Sequence, residues 1–385
     1  MLLADVFEHF RDTSMEPHRF KLDPAHYVSA PQMAWDAMLK TTGIQLDLIS
    51  DPAMYLMIES GMRGGVCMIS KRFAQANNKY MGNLYNPTLP SKYIIYLDAN
   101  NLYGWAMKQP LPQKNFKWLN EVEILEMTRL LRMGIPTHVE ILGWIIECDL
   151  DYPARHHNYD NDYPLAPERV DIQVEMLSDT QVALARHYTR NRTAKNVKLV
   201  PNLMNKKNYV VHGRVLEFLL KNGMQLVKIH RIIEFEQSPW MAPYIQLNTD
   251  LRAAATNDAD KDFHKLMNNS VYGKTCENLR KRSDIRLVAD AHEAEKLIEK
   301  PHCLDVRIFD QNLIGVELKK VKVLVNKPSY VGFAVLELSK LLMWQYASLI
   351  SFIDFYFALS NSFILPLCFV NILDACVYLD STTVG

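Results

Sequence analysis

The stretch Lys265-Leu-Met-Asn-Asn-Ser-Val-Tyr-Gly273 is the most informative part of the sequence, and it lies inside a helical pattern at residues 258–282. One face of that helix carries cations, an amide, an aromatic ring and a thiol at helical spacing: Lys261, Lys265, Asn269, Tyr272 and Cys276. The other side carries residues expected to pack on the core: Phe263, Leu266 and Met267. Gly273 lacks a side chain, so a flat ligand can approach there. The polar face suits a nucleoside triphosphate, and an ordinary exposed face is the alternative.

A second stretch, Tyr96-Leu-Asp-Ala-Asn-Asn-Leu-Tyr-Gly-Trp105, follows a run that predicts a buried strand, Tyr93–Leu97. Such a strand would present the carboxylate of Asp98 at its exposed end. Hard cations such as Mg²⁺ prefer an oxygen ligand of that kind on a rigid support. The alternative is that Asp98 caps a turn, which is the commoner role of an aspartate at the end of a strand.

Length and composition describe a globular protein. The chain has 385 residues, 49% of them hydrophobic and 22% charged, which is enough for two or three domains with hydrophobic cores. Its 43 basic residues equal its 43 acidic residues, so bulk charge gives no reason to expect nucleic-acid binding. Six cysteines without a CxxC pair exclude a zinc framework of that type and favour a protein with reduced thiols inside the cell. The nucleus is one of the compartments compatible with this expectation.

Charge is nevertheless segregated along the chain. Ten acids and two arginines lie between Glu140 and Asp179, whereas eleven lysines or arginines and one acid lie between Arg186 and Arg231. Tyrosine and phenylalanine side chains are interleaved with this basic stretch, 186–231. The pattern suits a groove that follows a phosphate backbone. A solvated surface that balances the acidic stretch is the alternative.

Taken together, the two quoted stretches resemble the family B DNA polymerases. Lys265–Gly273 matches motif B of that family, KxxxNSxYG, at every fixed position, and Asp98–Tyr103 resembles motif A, DxxSLYP. Gly104 stands where motif A usually has proline. The wide spacing between the motifs resembles that of the protein-primed subgroup. The sequence that flanks them resembles polymerases of virus-like transposons (Polinton or Maverick type) and of linear plasmids. The resemblance covers roughly residues 1–344.

The resemblance implies a catalytic set of Asp98, Lys265 and Tyr103. Asp98 would hold the catalytic Mg²⁺ ions, with Mn²⁺ as a substitute. Lys265 would bind the triphosphate, and Tyr103 would lie under the incoming sugar and disfavour a ribose 2′-hydroxyl. Further nucleotide-binding residues are implied by their positions in or before the motifs: Ala99 through its carbonyl, Asn269, Tyr272, Gly273, Arg252 and Lys261.

The resemblance also implies DNA contacts. Arg63, Gly64 and Gly65 match the YxGG-type loop that contacts template in the family, although Met62 stands where that loop has tyrosine. The basic stretch would fall in the insertion of the protein-primed subgroup, with Lys206 and Lys207 contacting DNA. The implied partners are template and primer DNA, deoxynucleoside triphosphates and a terminal protein as primer.

The expected fold is mixed α/β (α+β): a partial palm sheet, helical fingers and an insertion. The expected domains follow the chain in order: a helical and loop segment at 1–90, the palm with motif A at 91–125, the insertion at 126–245, the fingers with motif B at 246–295, palm strands and a helix at 296–344, and an unrelated apolar tail at 345–385. Strands near 303–325 are expected to join the palm sheet, with Ile314-Gly315 as a turn.

Motif C, which supplies a second carboxylate pair in the family, has no counterpart before residue 385. Two metal ions need more than one aspartate. We therefore expect a defective fragment without an exonuclease domain, motif C hairpin or thumb. The alternative is a non-catalytic pseudo-polymerase that binds nucleotide or DNA. The uncharged run Phe355–Leu373 makes a membrane-tethered protein a third hypothesis, which its asparagines and proline weaken.

Overall fold

The structure, a computed structural model, describes residues 2–16, 19–66, 73–92, 94, 99–135, 140–188, 197–320, 322 and 324–359. Asp98 and most of the predicted strand Tyr93–Leu97 lie outside the described residues, as does the tail after Leu359. Helices and strands are mixed along the described part of the chain, which confirms the predicted α/β class.

The structure describes twelve α-helices, and one of them lies within the helical pattern predicted at residues 258–282. Their bounds are α1 (Leu2–Met15), α2 (Ala30–Thr42), α3 (Pro52–Ser60), α4 (Leu102–Met107), α5 (Glu121–Arg132), α6 (Ala154–Asp160), α7 (Asp179–Tyr188), α8 (Gly213–Lys221), α9 (Ala242–Ala254), α10 (Asp258–Thr275), α11 (Ala291–Ile298) and α12 (Ser329–Leu359). Helix α3 shows why local sequence suffices. The Asp51 carboxylate accepts a hydrogen bond from the Ala53 amide at 2.7 Å, and Pro52 occupies the first helical position.

The described strands form three antiparallel sheets. Their bounds are β1 (Leu111–Trp118), β2 (Leu142–Asp151), β3 (Glu168–Asp171), β4 (Val197–Val200), β5 (Lys206–His212), β6 (Gln225–Ser238), β7 (Asp284–Val288), β8 (Cys303–Asp310) and β9 (Leu313–Leu318). The main sheet has the order β1-β6-β2-β5, a small sheet pairs β3 with β4, and a third sheet has the order β7-β9-β8.

The core of the main sheet lies between β2 and β6. Ile145 faces Ile233 across the two strands, and Ile146 faces Ile232, all four side chains being buried. Burial on this scale removes each side chain from water and stabilises the sheet by roughly 1.5–3 kcal/mol per residue. Three of the four strands come from residues 126–245, the range predicted to be an insertion, so that range shares one sheet with β1.

Helix α12 connects the main sheet to the helices before it. It contacts β1 and β5 on the sheet side and also contacts α3, α4, α8 and α10. The ring of Tyr330 lies 4.5 Å from that of Phe116, and its hydroxyl donates to the carbonyl of Asp47 at 2.7 Å. Among the described residues, no helix has the length and apolar character needed to span a membrane.

The strands predicted near 303–325 form the third sheet and do not join the main one. Strand β9 pairs with both β7 and β8, and none of the three pairs with a described strand of the main sheet. The expected turn at Ile314-Gly315 is wrong, because both residues lie within β9 and the turn falls at Gln311-Asn312. Packing explains the glycine at position 315, because a Cβ there would lie 2.8 Å from the Phe309 ring.

Candidate active site

Helix α10 carries the motif B residues and is anchored on one side by α2 and α9. The side chains of Phe263 and Met267 are buried on that side as expected. Leu266 was expected there too, but it is 45% exposed because its position turns away from α2 and α9. The Tyr244 hydroxyl of α9 donates to the carbonyl of Met267 at 3.1 Å, which fixes the two helices against each other.

The opposite face of α10 is open. Lys265 and Asn269 are exposed, and a Cβ placed on Gly273 would meet no atom within 4 Å. These three positions follow one another at intervals of four residues, so they line one side of the helix over about 12 Å. The sequence pattern therefore predicts this part of the face correctly. Tyr272, predicted on the same face, is buried instead.

Helix α4 contains the last two residues of motif A and begins in an unusual way. Asn101, which precedes the helix, has a left-handed backbone with φ of 54°. Its amide group fills the place of a side chain at Gly104, where a Cβ would lie 2.2 Å away. The glycine that replaces the family's proline thus leaves room for Asn101, and the turn is closely packed.

Motifs A and B meet through two tyrosines. The rings of Tyr103 on α4 and Tyr272 on α10 are stacked, with centroids 4.6 Å apart and planes 16° from parallel. Offset stacking of this kind contributes about 0.5–1.5 kcal/mol beyond the burial of the rings. Two segments separated by more than 160 residues are thereby held side by side.

The glycine loop after α3 reaches the same place. A Cβ on Gly64 would lie 3.9 Å from the Tyr272 hydroxyl oxygen and 3.1 Å from the side chain of Leu336. The absence of a side chain at Gly64 therefore brings the loop backbone close to the stacked tyrosines. Gly65, next to it, has φ of 75° and open space around its Cα.

Arg63 in the same loop does not face solvent. Its guanidinium donates to the Val210 carbonyl, lies 3.8 Å over the ring of Tyr209 and is 3.8 Å from a carboxylate oxygen of Glu337. The resemblance implied a DNA contact for this side chain. In this conformation Arg63 instead ties the loop to β5 and α12, and Gly64 and Gly65 are the loop residues left to approach a ligand.

Lys206 and Lys207 differ although they are neighbours. Lys206 is completely buried and pairs with Glu168 at 2.7 Å, and it also contacts the side-chain oxygen of Asn202. A DNA phosphate cannot reach it there, because strand β5 turns its side chain inward. Lys207 points outward and lies 3.7 Å from a carboxylate oxygen of Asp149. Lys207 alone of this pair stays a candidate for DNA contact.

The remaining predicted cations lie on α9 and α10. Lys261 pairs with Asp258 at 3.2 Å in the first turn of α10, where acids also favour the helix dipole. Arg252 is exposed near the end of α9. Their part in binding nucleotide stays a prediction.

The carboxylate implied as the metal ligand is not among the residues that the structure describes. They contain no group of three or more histidine, cysteine, aspartate or glutamate side chains that could hold an ion. Asp98, the expected ligand, lies outside them, and the carbonyl of Ala99 is the only other expected ligand. One carbonyl oxygen is too few for Mg²⁺, which takes six.

Sequence reasoning missed a buried ionic network beside the site. Glu337 on α12 is 1% exposed, contacts Lys340 and accepts a hydrogen bond from the His212 amide at 3.3 Å. Burial alone would raise the pKa of the Glu337 carboxyl, but Lys340 and Arg63 outweigh it and hold that pKa below its usual value. The available signal was one acid in an apolar helix with a lysine three residues later.

This architecture belongs to the class of type B DNA polymerases. A family model described as DNA polymerase type B, organellar and viral, matches residues 48–317, more than half of the chain. The chain belongs to this family. The predicted family is confirmed and the match supports its protein-primed subgroup, whereas the likeness to transposon and linear-plasmid polymerases stays a prediction.

Solved structures similar to the chain include two complexes of Phi29 DNA polymerase. The binary complex with primer-template DNA has a TM-score of 0.46 and 12% identity over 87% of this chain and 45% of that chain. The ternary complex with primer-template DNA and incoming nucleotide substrates has a TM-score of 0.40 and 15% identity over 80% of this chain and 43% of that chain. The chain thus spans less than half of their length. No curated protein sequence matches it.

Proposed function

We propose that the site around Tyr272 binds a deoxynucleoside triphosphate against template and primer DNA, as a DNA-directed DNA polymerase does before it extends a primer. The observation that supports this is the meeting of three separate motif segments at one ring. Tyr103 stacks on Tyr272, and the Gly64 backbone lies beside its hydroxyl. These residues are far apart in the sequence, and their meeting at one place is what a shared binding site requires.

Each residue has a chemical task in this proposal. The ammonium group of Lys265 binds the triphosphate through charge-assisted hydrogen bonds. Asn269 and Gly273, one and two turns further along α10, line the sugar and base. Asp98 would hold the divalent metal ions, Mg²⁺ or Mn²⁺, that such polymerases use to stabilise the attacking hydroxyl and the leaving pyrophosphate.

Replacing Lys265 with alanine should weaken binding of a deoxynucleoside triphosphate about 10- to 100-fold, the loss expected for a hydrogen bond to a charged group. The binding can be measured by titrating a fluorescent nucleotide analogue into the full chain. Lys296→Ala is the matched control, because that lysine is an exposed cation on α11 to which no part in the site is assigned, and it should change the affinity less than threefold. Equal affinities of the Lys265 variant and the unmodified chain would contradict the proposed site.

Primer extension with labelled nucleotide separates a polymerase from a non-catalytic binding module. Incorporation that depends on Asp98, lost in Asp98→Ala, supports catalysis. Binding that depends on Lys265, without incorporation at any Mg²⁺ or Mn²⁺ concentration, leaves a pseudo-polymerase. Neither result depends on whether a terminal protein supplies the primer.

Replacing Tyr103 with valine should reduce discrimination against ribonucleotides. If the Tyr103 ring lies under the incoming sugar, a smaller side chain leaves room for a 2′-hydroxyl, and the preference should fall about tenfold or more. Competition between a deoxyribonucleotide and its ribonucleotide for the site measures this. Tyr103→Phe keeps the ring and should keep the preference. Identical preferences for the valine and phenylalanine variants would argue against this role.

A further inference from the structure

Residues 60–97 contain no acidic residue. They carry five cations, Arg63, Lys71, Arg72, Lys79 and Lys92, in a chain whose 43 basic and 43 acidic residues balance. Such segregation points to an anionic partner. The longest part of this segment that the structure describes without interruption is the loop 73–92, called here the asparagine loop.

Asn77 holds the asparagine loop closed. Its side-chain amide donates to the carbonyls of Asn86, Leu89 and Pro90 at 3.0–3.2 Å and accepts from the Asn86 amide at 2.9 Å. Its backbone forms a two-way bridge with Lys92 at 2.9 and 2.7 Å. Six hydrogen bonds from one residue fix the loop before any partner arrives, so little conformational entropy remains to be lost on binding.

The asparagine loop turns its aromatic side chains outward. Phe73 is 81% exposed and Tyr80 is 79% exposed, and the ammonium group of Lys79 lies 5.4 Å from the centre of the Tyr80 ring. Lys92 is exposed as well. Exposed rings interleaved with cations are what single-stranded nucleic acid requires, since bases stack on the rings and phosphates contact the ammonium groups.

The asparagine loop is attached to the candidate site at both ends. Phe73 follows Gly65 by eight residues, and Lys92 precedes Ala99 by seven. At about 3.5 Å per residue, the loop lies within roughly 28 Å of the glycine loop and roughly 25 Å of motif A. A single strand that leaves the site can therefore reach it within a few nucleotides.

We propose that the asparagine loop binds single-stranded DNA through Phe73, Tyr80, Lys79 and Lys92, and so holds the unpaired strand next to the active site. The inference rests on the proposed function for its choice of DNA as the partner. Charge and stacking argue for a single strand over a duplex, whose bases are hidden from the rings. A protein partner would be expected to use the exposed Leu84 and Leu89 instead.

The test is fluorescence anisotropy of a labelled oligothymidylate of about 20 nucleotides with the full chain. The double variant Phe73→Ala, Tyr80→Ala should weaken binding about tenfold or more, and Tyr80→Trp alone should retain it, because base stacking is kept. Lys79→Ala with Lys92→Ala should reduce the slope of log K against log salt by about 1.4, or about 0.7 for each phosphate contact. Both sets of side chains are exposed, so the fold should be unaffected.

Control variants and control ligands distinguish the outcomes that would contradict the proposed binding of single-stranded DNA. Tyr159→Ala removes an exposed aromatic side chain outside the loop, and it should leave binding unchanged. The proposal is overturned if the double aromatic variant binds the single strand like the unmodified chain, if the loop variants weaken binding of duplex DNA as much as binding of the single strand, or if they weaken only binding to vesicles of anionic lipid. Loss of nucleotide binding in Lys265→Ala with no effect of the loop variants would reject the loop and keep the proposed function. The reverse result would reject the site and keep the loop.

Discussion

Replacing Glu337 with alanine should lower the free energy of unfolding by about 3–5 kcal/mol, the usual cost of removing one partner from a buried ionic network. The Glu337 carboxylate contacts Lys340, lies 3.8 Å from the guanidinium of Arg63 and accepts from the His212 amide. Without it, two cations stay buried with no opposite charge. The variant loses hydrogen bonds and also leaves desolvated positive charge in the core.

Urea unfolding followed by tryptophan fluorescence measures this change. Glu126→Ala is the matched control, because Glu126 pairs with Arg129 on the surface of α5 at 2.7 Å, and such exposed pairs contribute less than about 1 kcal/mol. Glu337→Gln keeps the shape of the side chain and an oxygen for the His212 amide, so it should fall between the two. A loss below about 1 kcal/mol for Glu337→Ala would show that the network is not closed as described.

The Glu337 network also bears on the site, because Arg63 precedes the glycine that approaches Tyr272. The resemblance suggested that Arg63 works by touching DNA, whereas the structure shows an arginine whose contacts are all internal among the described residues. Arg63 would then affect ligand binding indirectly, by holding Gly64 and Gly65 in place. Arg63→Ala should consequently destabilise the fold, and any loss of DNA affinity should follow that destabilisation.

Features that depend on neighbouring residues could be predicted from the sequence. The start of α3 at Asp51-Pro52 is one, and the open face of Lys265, Asn269 and Gly273 on α10 is another, since helix spacing alone puts them in line. The resemblance of the two motifs also pointed to the family that the family model confirms. Because Asp98 lies outside the described residues, its role stays a prediction.

Features that depend on distant residues could not be predicted. Whether Lys206 faces solvent is decided by Glu168, 38 positions earlier, and the environment of Arg63 is decided by Glu337, 274 positions later. Charge clustering in a sequence does not distinguish a surface lysine from one in a buried ion pair.

Lowering the pH from about 7.5 to about 5 should destabilise the fold by about 4 kcal/mol through two buried histidines. Burial lowers the pKa of His212 to about 4, helped by Arg214 and opposed by Glu337. Burial likewise lowers the pKa of His264 to about 4, helped by Arg19. Unfolding restores an ordinary pKa of about 6.5, so the unfolded chain binds more protons below that pH.

The direction of the change in stability with pH follows from this proton uptake. Stability from both histidines is fully present above about pH 6.5 and is lost as the pH falls toward 4, at about 2 kcal/mol for each by pH 5. His212 has a structural reason for the loss, since its Nδ1 accepts a hydrogen bond from the Arg214 amide at 3.3 Å and caps α8 only when that nitrogen is unprotonated. His264 is buried beside Asn248, with its Nδ1 3.2 Å from the side-chain oxygen.

Urea unfolding at both pH values measures the effect, and substitution assigns it. His212→Asn keeps a capping oxygen that does not titrate in this range, so it should remove about half of the pH dependence. His264→Gln should remove the other half, and the double variant should be nearly independent of pH between 5 and 7.5. His292→Gln is the control, because His292 is exposed and should not change the pH profile. If the double variant loses as much stability as the unmodified chain, the two buried histidines are not the source of the acid sensitivity. Glu277 would not explain such a loss either, because its pKa of about 2 places the loss of its stabilisation below the pH range of the experiment.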